Sequence, residues 1–182
     1  ERESTFAPTP SPIAIRLVLF FAIWHGLEAM IGDLTTAFMH AKPANRMFAV
    51  PPPDMKRAGY KWELLRAMNG MRTASADFAK FFATICTERL HLIQFKSDPS
   101  IFRGPSNSTP LLLAIHIDDP LAAASPERLK GLWRELQAWM LLRDGDFITV
   151  DRPITFLGRQ YLKVVEEGRT GYKVRMAPAY ID

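Results

Sequence analysis

Residues 111–124, LLLAIHIDDPLAAA, constrain this chain more than any other stretch. They form a buried-strand pattern interrupted once, by the adjacent carboxylates Asp118 and Asp119. Burying a charge is costly unless it is paired or bound to metal, so the middle of an apolar run is where a carboxylate is hardest to justify. A tight hairpin turn built from the Asp pair and Pro120 is one explanation. A functional site is the other.

A second acidic position bears on that choice. Asp33 also follows an apolar strand, within GDLTTAF at residues 32–38. Aspartate is favoured as an N-cap, and a short helix after it would use one there. If the two strands are neighbours in one sheet, however, Asp33, Asp118 and Asp119 converge. Carboxylates that close repel one another and call for divalent cations. A donor set of hard oxygens without histidine or cysteine favours Mg²⁺ or Mn²⁺. Two such ions about 4 Å apart can bracket an in-line displacement at phosphorus.

The remaining pattern is mixed. Residues 1–12 hold three prolines and read as an extended lead-in. Ser11-Pro12 opens a helix as N-cap and first helical residue, and its body, residues 13–24, is apolar nearly all round and so expected to be buried on most sides. Residues 27–34, 47–50 and 60–65 read as strands. Phe78, Phe81, Phe82, Ile85 and Arg89 recur at helical spacing, and Phe95, Ile101 and Phe102 mark short edge elements. Ser125-Pro126 opens another helix, with an apolar stripe of Leu129, Leu132, Trp133, Leu136 and Met140. Residues 155–165 and 172–176 read as a hairpin turning through Glu167-Gly168, its last strand alternating Tyr172, Val174 and Met176 with Lys173 and Arg175. Without a regular βαβ rhythm, the expected class is α+β, an antiparallel sheet with helices on one face.

With 182 residues, 48% of them apolar, the chain suffices for one domain or two small lobes sharing a core. A single cysteine, Cys86, excludes an internal disulfide and a cysteine-based zinc site, and suggests a reducing, intracellular setting. The most apolar stretch is shorter than the roughly 20 residues a membrane span needs. The net charge of +4 is uneven: between residues 56 and 103 stand nine Lys or Arg against four Asp or Glu. A basic middle suits a polyanion partner, and it equally suits a solvated surface.

The order of segments resembles the copia-type reverse transcriptases. Their aspartate, short polar stretch and Ala-Phe is matched by Asp33-Leu34-Thr35-Thr36-Ala37-Phe38, and their strand ending in prolines by residues 47–53. A Tyr-Gly-Leu-Lys-Gln type helix opening is similar to Asn69-Gly70-Met71-Arg72-Thr73. The Tyr-Val-Asp-Asp signature is represented by His116-Ile117-Asp118-Asp119, and a Phe-Leu-Gly strand by Phe156-Leu157-Gly158. The resemblance covers nearly the whole chain. It implies a polymerase palm with partial fingers over residues 1–182, cut from a polyprotein whose upstream fingers, thumb, RNase H and integrase lie elsewhere.

The same resemblance implies site roles. Asp33 and Asp118 would hold Mg²⁺ or Mn²⁺, and Asp119 would complete the catalytic triad. Phe38 would lie under the incoming deoxynucleotide's sugar, with Arg72 and Thr73 also at the nucleotide. Gly158, Lys163, Lys173 and Arg175 would meet an RNA or DNA template-primer. The implied location is a cytoplasmic particle or the nucleus. Four positions depart from the family pattern: His116 for tyrosine, Thr73 for glutamine, Ser75 for proline, and Pro120 directly after the Asp pair. They leave open a second reading, a decayed, non-catalytic nucleic-acid-binding relic. Another palm-like phosphotransferase, such as a nucleotide cyclase, is a third.

Overall fold

The computed structural model of the chain describes residues 5–178. Helix α1 (Pro12–Trp24) begins as its sequence dictates, with Ser11 Oγ accepting from the Ala14 N–H and Pro12 in the first turn, where its missing donor costs nothing. Strand β1 (Glu28–Ile31) follows. Strands β2 (Met47–Ala49) and β3 (Trp62–Leu64) pair only with each other, as an antiparallel ribbon. Helix α2 (Ala74–Thr84) runs into a π-helical turn (Ile85–Arg89), then into strands β4 (Ile93–Gln94) and β5 (Ile101–Arg103). The hairpin of β6 (Leu112–His116) and β7 (Asp119–Ala124) precedes helix α3 (Pro126–Gln137), whose cap Ser125 accepts from the Arg128 N–H. Strands β8 (Asp146–Phe147), β9 (Ile154–Phe156), β10 (Arg159–Glu166) and β11 (Arg169–Met176) complete the order.

The central sheet has six strands in the order β4-β5-β6-β7-β1-β8, every neighbouring pair antiparallel. The fold is therefore mixed, helices on antiparallel sheet, in keeping with the α+β expectation. Placement of the helices on one face only is corrected. The strands β6 and β7 are apolar at consecutive positions, so both faces of the sheet need covering. Met30, Leu113, Ile115 and Ala122 face α2 and α3 through Phe78, Phe82, Leu129 and Trp133. Ala29, Ile31, Leu112, Ala114 and Leu121 face α1 through Ile15, Val18 and Leu19, together with Phe156 and Tyr161 of the second sheet.

Helix α1 differs from its expectation for the same geometric reason. One sheet covers one face of a helix, so Ala14, Ile15, Val18, Leu19 and Ala22 are buried while Ile13, Phe20 and Trp24 remain largely exposed. The strand expected over residues 155–165 is also corrected. It breaks at Leu157-Gly158, where both residues have positive φ (47° and 73°) between the paired Phe156 and Arg159, the signature of a two-residue hairpin turn. A second turn of the same kind, Glu167-Gly168, joins β10 to β11 and completes the sheet β11-β10-β9.

Candidate active site

The acidic residues meet where β1 leaves the sheet. The register that pairs Ile31 with Leu121 continues past the end of β1: the Gly32 N–H donates to Pro120 O at 2.9 Å, and the Leu34 N–H to Asp118 O at 2.7 Å. Asp33 therefore stands directly across from Asp119, in a pair that exchanges no backbone hydrogen bonds, where cross-strand side chains approach most closely. Asp119 pairs on its other side with His116. Strand alternation puts Asp33, Asp119 and His116 on the face that α1 covers, in line with Ile31, Leu121 and Ala114.

Asp118 is in the hairpin turn rather than in a strand. Its turn partner Ile117 has a φ of 55°, a conformation that costs a β-branched residue energy and persists only where the surroundings impose it. Pro120 contributes to that strain-bearing corner: it accepts from Gly32 but has no N–H to return. Gly32 is required by close packing, since a Cβ there would lie 2.9 Å from Trp133 Cζ2 and 3.1 Å from both Leu142 Cδ1 and Pro120 Cγ.

The electrostatics follow the geometry. Burial, and then the neighbouring Asp118 and Asp33 carboxylates, push the Asp119 carboxyl up to about 6, with His116 pulling the other way. Asp33 is also met by Arg143, whose Nη1 lies 3.1 Å from Asp33 Oδ2. The segment carrying Arg143 is tied down by its backbone. The Arg143 N–H donates to Asp33 O, the Thr35 N–H donates to Leu141 O, and Leu34 bridges Leu142. The Leu141 N–H in turn donates to His40 Nε2, at 3.2 Å.

The other expected site residues divide between those near this corner and those away from it. Gly158, in the β9–β10 turn, accepts from the Ala177 N–H, and its neighbours Leu157 and Arg159 line a cavity of about 200 Å³ shared with His116, Arg16 and Tyr161. Phe38 is half-buried in the 3₁₀ turn Ala37–His40, with its ring edge-on to Phe78 at 6.4 Å, on the side of α2. Arg72 is exposed, while Thr73, at 7% exposure, is buried at the start of α2. Thr73 lines a separate 450 Å³ groove with Asp77 and Gln94. Ser75 and Ile117 line one small cavity, which puts the start of α2 against the hairpin tip.

The basic face of the second sheet is smaller than expected. Lys173 and Arg175 are exposed, with Arg175 Nε donating to Gln160 Oε1. Lys163 does not share their face. Because Lys173 pairs with Leu162, Lys163 points to the opposite side, where its Nζ meets Glu28 Oε1 at 2.6 Å and is only 17% exposed.

Among the described residues no three His, Cys, Asp or Glu side chains converge tightly enough to cage a metal ion. The donor chemistry nevertheless suits a hard divalent cation: Asp33, Asp118 and Asp119 offer only oxygens, and Asp119 is half-buried, with the Asp118 and Asp33 carboxylates adding to the effect of burial on its carboxyl. Arg143 and His40 are the residues at this corner that sequence patterns do not reveal, since both reach it by tertiary contact alone. No protein-family model matches this chain, and no curated protein is significantly similar to it.

Proposed function

We propose that this chain is the polymerase-like palm of a copia-type reverse transcriptase, carrying RNA-directed DNA synthesis within a retrotransposon polyprotein. The observation that carries the reading is the register that sets Asp33 across from Asp119, one residue from Asp118 at a strained hairpin tip. Three carboxylates brought to one corner suit nucleotidyl transfer better than a structural turn, which has no need of Asp33.

In this reading Asp33 and Asp118 hold Mg²⁺ or Mn²⁺, and Asp119 adds negative charge beside them. The bound cations would stabilise charge at the α-phosphate and lower the pKa of the primer's 3′-hydroxyl. The chain's own residues orient the reactants. Phe38 would pack under the deoxyribose, Arg72 would meet the nucleotide's phosphates, and the Gly158 turn would steady the primer end. Lys173 and Arg175 would neutralise template-primer phosphates.

A second reading, a nucleic-acid-binding relic, is favoured by one observation: Thr73 is buried where a nucleotide contact is expected. Primer extension by the polyprotein carrying this segment distinguishes them. Incorporation of deoxynucleotides on an RNA template, abolished by Asp33→Asn and by Asp118→Asn, is the expected result. Salt-sensitive binding without any incorporation would establish the relic instead.

A further inference from the structure

We infer that Arg143 is a resident counter-cation for Asp33, an electrostatic latch that neutralises the acidic corner until a divalent cation displaces it. The inference rests on the polymerase reading and concerns how that same site is controlled. Arg143 Nη1 lies 3.1 Å from Asp33 Oδ2, so the guanidinium occupies a carboxylate that the cation would use. Its placement is fixed by backbone rather than by the ion pair. Arg143 N–H to Asp33 O, Thr35 N–H to Leu141 O and the Leu34–Leu142 bridge hold the segment against the Asp33 loop whatever the side chain does. The side chain is thus delivered to the site but free to leave it.

The strength of the pair suits exchange. The Arg143 and Asp33 side chains are 71% and 47% exposed, and ion pairs in such surroundings are weak and screened by salt. A divalent cation at Asp33 carries twice the charge and would be repelled by a guanidinium a few ångströms away. Cation binding and the ion pair are therefore competing states of one carboxylate, coupled reciprocally. Without the cation, Arg143 offsets part of the charge of Asp33. With it, the latch opens.

Manganese titration followed by electron paramagnetic resonance tests this without reference to catalysis. Wild-type protein, Arg143→Gln, Arg143→Lys and Asp33→Asn are compared at low ionic strength. Arg143→Gln should bind Mn²⁺ about two- to fivefold more tightly than wild type, the range an exposed ion pair supports. Arg143→Lys should stay near wild type, and the difference should vanish at 1 M salt, where screening lengths fall to about 3 Å. In thermal melts, Arg143→Gln should start lower without cation and gain more from added Mn²⁺. Equal Mn²⁺ affinity in wild type and Arg143→Gln would overturn the latch while leaving the metal site standing. Absence of Mn²⁺ binding in every protein would overturn the polymerase reading and the latch with it.

Discussion

Gly32 is packed against the indole of Trp133, so close that a Cβ on Gly32 would lie 2.9 Å from Trp133 Cζ2. The contact lies one residue before Asp33, where the chain leaves β1. Trp133 is a buried residue of α3, flanked by Leu129, Leu132 and Leu136, and cannot shift without disturbing that core. Gly32→Ala is therefore overpacked, and should destabilise the fold by about 1–3 kcal/mol. Urea unfolding should show a lower midpoint with an unchanged slope. A wild-type midpoint would mean that the sheet and α3 separate more easily than their packing indicates.

The sequence reveals this corner unevenly. Helices α1 and α3 are legible because a Ser-Pro cap and an apolar stripe are local signals, and the β6–β7 hairpin because its apolar run is interrupted at a single point. The partner of Asp33 is not legible. The family resemblance couples Asp33 with Asp118 as metal ligands, while the register sets Asp33 across from Asp119 and leaves Asp118 in the turn. A one-residue difference in register exchanges the faces of a strand, and no local pattern specifies it. Lys163 groups with Lys173 and Arg175 in the sequence for the same reason, and the pairing of Leu162 with Lys173 separates them. Arg143 reaches Asp33 only by tertiary contact, which leaves no trace in spacing.

Asp119 predicts a pH dependence. Its carboxyl is raised from 3.8 to about 6, chiefly by burial and then by Asp118 and Asp33. Between those values the folded protein binds a proton that the unfolded chain has released, so stability falls as pH rises through this window. The contribution is favourable at low pH and lost above about 6. In cation-free buffer, the wild-type melting temperature relative to that of Asp119→Asn should therefore decline from pH 4 to pH 7. A constant difference across the window would place Asp119 in an ordinary solvated environment.

Glu28 and Lys163 predict a separation of stability from binding. Their ion pair at 2.6 Å is largely withdrawn from solvent, with Lys163 at 17% exposure. Removing one partner strands the other, so Lys163→Ala should cost about 1–3 kcal/mol, less than the 3–5 kcal/mol typical of a fully buried pair. It should leave nucleic-acid affinity unchanged. Lys173→Ala and Arg175→Ala should behave oppositely, sparing stability and flattening the salt dependence of duplex binding by about 0.9 in log–log slope for each phosphate left without its cation. Titrations of the three variants at several salt concentrations decide it. A flattened slope for Lys163→Ala would put that residue on the nucleic acid.

Phe38 predicts sugar selectivity, and it tests the polymerase reading most directly. The chain turns from Asp33 through Thr36, with a left-handed φ of 52°, into the 3₁₀ turn that carries Phe38. The ring is half-buried and edge-on to Phe78, so it is held in place without being sealed in the core. A flat ring held beside a deoxyribose excludes a 2′-hydroxyl by volume alone, and such exclusion should respond to the size of the side chain. Within the polyprotein, Phe38→Val should therefore raise ribonucleotide incorporation relative to deoxyribonucleotide incorporation. The same change should cost about 1–3 kcal/mol of stability through weaker packing on Phe78. The ratio of kcat/KM values for the two nucleotides separates the effects, since destabilisation lowers both and leaves their ratio fixed. A parallel loss of both activities would make Phe38 a support for α2, and the sugar would be read elsewhere.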